Sequence, residues 1–137
     1  RSSDLPTVLL IGDKVVTDAP PPERYPYQMD LGQAWKDLTG LPFVYAMWMC
    51  RRGEQKSELV RSAAAVLDRQ RRHNAGRIDW LVSSRAPGAR WPLELARHYL
   101  GGLLRYQVGV REREAVEHFL ASAAELGLAP TRSVEWA

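Results

Sequence analysis

Two kinds of hydrophobic spacing alternate along this chain. Thr7 to Ile11 (Thr-Val-Leu-Leu-Ile) and Phe43 to Met49 are apolar runs without polar alternation, the pattern of strands covered on both faces. Elsewhere apolar residues return every three or four positions: Leu31, Ala34, Trp35 and Leu38; then Leu59, Val60, Ala63, Val66 and Leu67; then Leu95, Ala96, Tyr99 and Leu100; then Val116, Phe119, Leu120 and Ala123. These spacings predict helices, with a shorter helical turn around Ile78 to Val82. Strands mixed with helices make the expected fold class α/β, with Phe43 to Met49 as a central strand.

The punctuation agrees with these boundaries. Asp30 is placed to cap the second element, Gly40 supplies a left-handed exit, and Pro42 cannot continue the helix. Ser57 caps the next helix, which Asn74 and Gly76 stop; Ala86-Pro87-Gly88 is a break, and Pro92 opens a further helix. Gly127 ends the last one and Pro130 closes it off. Pro20, Pro21, Pro22 and Pro26 remove too many donors for a helix or an interior strand, so Ala19 to Tyr27 reads as a loop. Its tyrosines, Tyr25 and Tyr27, serve either as a lid or as anchors to the core.

Composition narrows the class. A chain of 137 residues with 45% hydrophobic and 26% charged positions fits one ordinary globular domain. No basic segment precedes an apolar core and no run reaches spanning length, so neither a secretion signal nor a membrane span is expected. The lone Cys50 excludes an internal disulfide and agrees with a cytoplasmic location. The net charge of +3 is spread among acids; Arg69, Arg71, Arg72 and His73 fall at a helix C-terminus, where cations suit the macrodipole, so no nucleic acid partner is expected.

Most chemical constellations fail on spacing. His73, His98 and His118 lie on three different predicted helices without chelating pairs, so no metal is expected. Cys50 ends a hydrophobic run and reads as a small packing residue. Gly101-Gly102 lacks the Lys-Ser/Thr of a phosphate loop, and Glu112, Glu114 and Glu117 fit the first turns of a solvated helix. The tryptophans read as packing residues. Gly12-Asp13 is different. At the carboxyl end of a strand, the pair could meet a ligand with a backbone N–H and a carboxylate; alternatively it is a turn in which Asp13 bonds its own backbone.

One stretch carries a more specific signal. Asp30 to Trp48 (DLGQAWKDLTGLPFVYAMW), preceded by the LLIGD of Leu9 to Asp13, resembles the chorismate dehydratases of the futalosine route to menaquinone. The similarity continues through ARHYL at Ala96 to Leu100, LRYQVG at Leu104 to Gly109 and ELGL at Glu125 to Leu128.

That resemblance implies a type II periplasmic-binding-protein-like fold, two α/β lobes with the substrate between them, of which this chain matches the C-terminal half. Residues 1–39 would end the second lobe, and 40–137 would hold the crossover strand and the C-terminal helices of the first. It further implies a small anionic substrate, chorismate, dehydrated without cofactor or metal. The segments bordering the cleft would be Gly12-Asp13, Asp30-Leu31-Gly32 and Gly40-Leu41-Pro42-Phe43. No catalytic residue carries over, because the family's polar substrate-holding motifs belong to its first half. The chain would need that half, and alone it is expected not to bind chorismate at micromolar concentrations. The sister enzyme that makes 1,4-dihydroxy-6-naphthoate, a non-catalytic solute-binding protein and a plain interaction module are the alternatives.

Overall fold

The computed structural model describes residues 7–136, and among them every regular element is helical. In order these are α1 (Lys14–Thr17), α2 (Leu31–Thr39), α3 (Glu58–Ala75), α4 (Ile78–Arg85), α5 (Leu93–His98), a π turn (Tyr99–Leu103) and α6 (Val110–Glu125). The α/β periplasmic-binding-protein-like expectation is therefore corrected, since no strand forms among the described residues. The physical reason lies in what covers the two apolar runs. Phe43 finds its partners on helices, against Trp35 and Phe119, while Tyr45, Trp48 and Met49 stay exposed and no neighbouring strand completes a ladder. Val8, Leu9 and Ile11 are likewise exposed. Just beyond them Gly12 turns the chain at φ +67°, and Val15 and Val16 enter α1 despite their β-branching.

The chain divides into two compact units, Arg1–Gln28 with Asn74–Leu104, and Met29–His73 with Arg105–Ala137. In the first unit, α4 packs against α5 and the π turn. Val82, Ala86 and Ala96 are its buried centre, and Ile78, Trp91 and Leu100 pack around them. Small residues let the helices approach closely: a methyl group on Gly101 would already stand 3.3 Å from Ile78 Cγ2. The break after α4 returns the Trp91 amide to the Ala86 carbonyl at 2.9 Å, with Arg90 at φ +60°.

In the second unit the local signals act as read. Asp30 accepts the Gln33 amide at 3.0 Å to begin α2, and Gly40 ends it at φ +70°. Ser57 Oγ accepts the Val60 amide in the first turn of α3, and Gly127 adopts φ +70° after α6. The α3 stripe is the exception. The helix forms where the spacing places it, but Leu59 is 80% exposed and no α3 residue is buried. The packed centre is instead aromatic, with Trp35, Phe43 and Phe119 meeting edge to face at centroid separations of 5.5 to 6.2 Å.

Candidate functional site

The second unit gathers six of the eight residues that the sequence proposes for substrate binding: Asp30, Leu31, Gly32, Gly40, Leu41 and Phe43. Asp30, Leu31 and Gly32 form the start of α2, where the first amides and the dipole present partial positive charge. Tyr45 lies directly over Gly32; a Cβ at that position would collide with the tyrosine hydroxyl. Glycine is thus required by close approach, and the Asp30 Oδ1 that caps α2 lies near the same spot. Phe43 packs on Tyr45 at 4.9 Å, so the same extended segment carries both rings.

The other end of α2 is closed by side chains. Thr39 Oγ1 donates to the Trp35 carbonyl at 2.8 Å and accepts the Leu41 amide at 3.1 Å, while Trp35 Nε1 donates to the Pro42 carbonyl at 3.2 Å. Arg111, one residue into α6, donates to the Gly40 carbonyl at 2.6 Å. The turn from Gly40 to Pro42 is therefore tied to α2 and α6 together, and it brings a guanidinium to the segment. Nothing local in the sequence marks Arg111 for this role.

Beside this turn lies a cleft of about 800 Å³, also wholly within the second unit. Trp35, Phe43, Met47 and Phe119 give it an apolar wall; Cys50, Arg51, Arg52 and Gln55 give it a polar one. Arg52 pairs with Glu135 at 2.6 Å, and Gln55 Nε2 donates to the same carboxylate at 3.1 Å. Cys50 is exposed here rather than buried, which corrects the packing role assigned to it.

Gly12 and Asp13, the remaining two, belong to the first unit. Asp13 does not cap α1; its Oδ1 accepts the indole N–H of Trp91 at 3.0 Å. The strand whose end should have placed it is not formed, and an indole 78 residues away holds the carboxylate instead. His73, His98 and His118 do fall on three separate helices, and His118 packs on Trp35. Among the described residues no group of three or more His, Cys, Asp or Glu is arranged to hold a metal ion, and no helix is long and apolar enough to cross a membrane.

A family model described as menaquinone biosynthesis matches residues 1–125, which include both units' candidate residues. No solved structure matches the chain.

Proposed function

The chain belongs to the menaquinone biosynthesis family, and we propose that its step is the dehydration of chorismate to 3-[(1-carboxyvinyl)oxy]benzoate. One observation carries this reading: the family match over residues 1–125 contains the Asp30 to Trp48 segment whose wording resembles the chorismate dehydratases. The elimination breaks one ring C–H bond and one C–O bond, and the hydroxyl leaves as water with the departing proton. Aromatisation of the ring supplies the driving force. No electron is exchanged with another reactant, so the protein has to hold a dianion in the reactive conformer, move a proton and assist the leaving oxygen.

The residues around α2 suit those tasks. First-turn amides of α2 offer donors for a carboxylate, and the Tyr45 phenol stands at Gly32. Asp30 Oδ1 lies near the same spot over Gly32, and Phe43 provides an apolar face for the ring. The test is genetic and chemical. Joined to the family's first half, the chain should restore menaquinone in a strain that depends on the futalosine route and lacks its chorismate dehydratase, with the benzoate product accumulating when the next step is blocked. Restoration only of a strain lacking the 1,4-dihydroxy-6-naphthoate enzyme would overturn the assignment.

A further inference from the structure

Residues 131–136 carry no regular structure after Pro130; half-buried Val134 and Trp136 alternate with exposed Ser133 and Glu135. No backbone–backbone hydrogen bond ties this segment down among the described residues. Side chains do so instead. Arg52 pairs with Glu135 at 2.6 Å and donates to the Ser133 carbonyl at 3.3 Å, and Gln55 Nε2 donates to the same carboxylate at 3.1 Å. Trp136 Nε1 donates to Glu117 at 2.7 Å, and the guanidinium of Arg113, one turn earlier on α6, lies 5.1 Å from the indole ring. The segment is also a wall of two cavities. Thr131 to Trp136 line the 800 Å³ cleft, and Thr131 to Val134 line a second cavity of about 240 Å³ together with Leu120, Ala121 and Ala124 of α6. Space against α6 means that few dispersion contacts hold the segment. The ion pair that does hold it is open to water, with the Arg52 and Glu135 side chains 66% and 45% exposed, and such pairs are weak and screened by salt.

We propose that residues 131–136 are a reversible strap: with Glu135 on Arg52 and Trp136 on α6 it walls the cleft, and its release uncovers Val116 and Leu120 beside Phe119 as one open apolar groove. The two anchors divide the work. The carboxylate–guanidinium pair sets how often the strap is closed, because it is the contact that salt weakens. The indole sets where the strap lands, because Glu117 and Arg113 engage its N–H and its ring from a single turn of α6. The family match ends at residue 125, so the strap lies outside it and the inference does not rest on the dehydration reading.

Fluorine NMR of the chain labelled with 5-fluorotryptophan reads the strap directly, the Trp136 signal being identified by its loss in Trp136→Phe. Raising sodium chloride from about 20 mM to about 500 mM should move that signal toward its value in the urea-unfolded chain. The signals of Trp80 and Trp91, in the first unit, should hold still. At low salt Glu135→Gln should raise the open population about threefold, the factor that an exposed pair of ordinary strength gives, and Arg52→Gln should at least match it. Glu114→Gln, which removes a charge of α6 that makes no bond to the strap, should leave the population unchanged. The exchanged pair, Arg52→Glu with Glu135→Arg, should recover closure, which separates a lost bond from a lost fold. Nile red, a neutral dye, should brighten over the same salt range as the groove opens. A Trp136 signal indifferent to salt and to Glu135→Gln would overturn the proposal. So would a moving signal with unchanged Nile red emission, which would describe a fraying end rather than a wall of the cleft.

Discussion

Arg111 spans 71 positions of sequence to donate its Nη2 hydrogen to the carbonyl of Gly40 at 2.6 Å. The bond fixes a left-handed residue whose own side is empty: a Cβ on Gly40 would meet nothing within 4 Å. Gly40→Val is therefore a pure test of backbone strain. It should cost on the order of 1 kcal/mol in denaturant unfolding and lower menaquinone output in the complementation assay. Arg90→Gly should act in the opposite direction by a similar amount, because Arg90 already sits at φ +60°. A Gly40→Val protein with parental stability would place the turn's strain elsewhere.

Gly32 fails for the other reason, contact. Gly32→Ala should displace the Tyr45 ring, and Tyr45→Phe, which removes the colliding oxygen, should recover part of the loss. A double-mutant cycle measures the coupling, expected at about 0.5 kcal/mol or more for residues in contact. Additive single effects would show that the two residues do not meet.

Burial ranks the core substitutions. Val82 is fully buried in the first unit, and Val82→Ala should cost roughly 1.5 to 3 kcal/mol. Leu59→Ala, on a side chain 80% exposed, should stay within about 0.5 kcal/mol. Denaturant midpoints that reverse this order would contradict the packing of α3 and α4 described above.

Asp13 can be separated into its charge and its bond. Asp13→Asn keeps an acceptor for the Trp91 indole while removing the charge; Trp91→Phe does the reverse. If the carboxylate serves the reaction, Asp13→Asn in the chain joined to the family's first half should reduce turnover more than either Trp91→Phe or Asp68→Asn. Equal effects in steady-state kinetics would leave Asp13 as a structural residue.

Asp68 supplies the pH prediction. The hydrogen bond from Arg71 chiefly, aided by the charges of Arg72 and Arg71 and opposed by partial desolvation, holds its carboxyl below the usual 3.8. A depressed folded value stabilises above the unfolded value and is lost as pH falls through the folded one. The Tm difference between parent and Asp68→Asn should thus be constant above about pH 5 and shrink below about pH 4. A difference that grows on acidification would reverse the sign of the linkage.

Legibility followed distance along the chain. Asp30, Gly40, Ser57 and Gly127 act on amides or dihedrals within a few residues, so their types announce their roles. The apolar runs at Thr7 and Phe43 are ambiguous in the same physical terms, because a covered strand and a coil laid on helices require the same side chains. What decides between them is a neighbour far away in sequence, and Phe43 found Phe119 rather than another strand. The α3 stripe shows the converse, a periodic face with nothing buried behind it. Of the candidate site, the Asp30 to Phe43 cluster was visible as contiguous wording. Arg111, and the Trp91 indole on Asp13, were not, since both act across more than 70 positions.

The π turn at Tyr99–Leu103 closes with the Leu104 amide on the Tyr99 carbonyl at 3.0 Å. Winding that bond around five residues instead of four stores one residue of surplus in the helix, and Gly101-Gly102 can absorb it without side chains to crowd. The surplus is a phase offset: each residue advances an α-helix by about 100°, so excising either glycine would retard Leu104 by that angle. The two glycines thereby set the azimuth at which the chain leaves α5, a quantity that neither hydrophobicity nor helix length encodes.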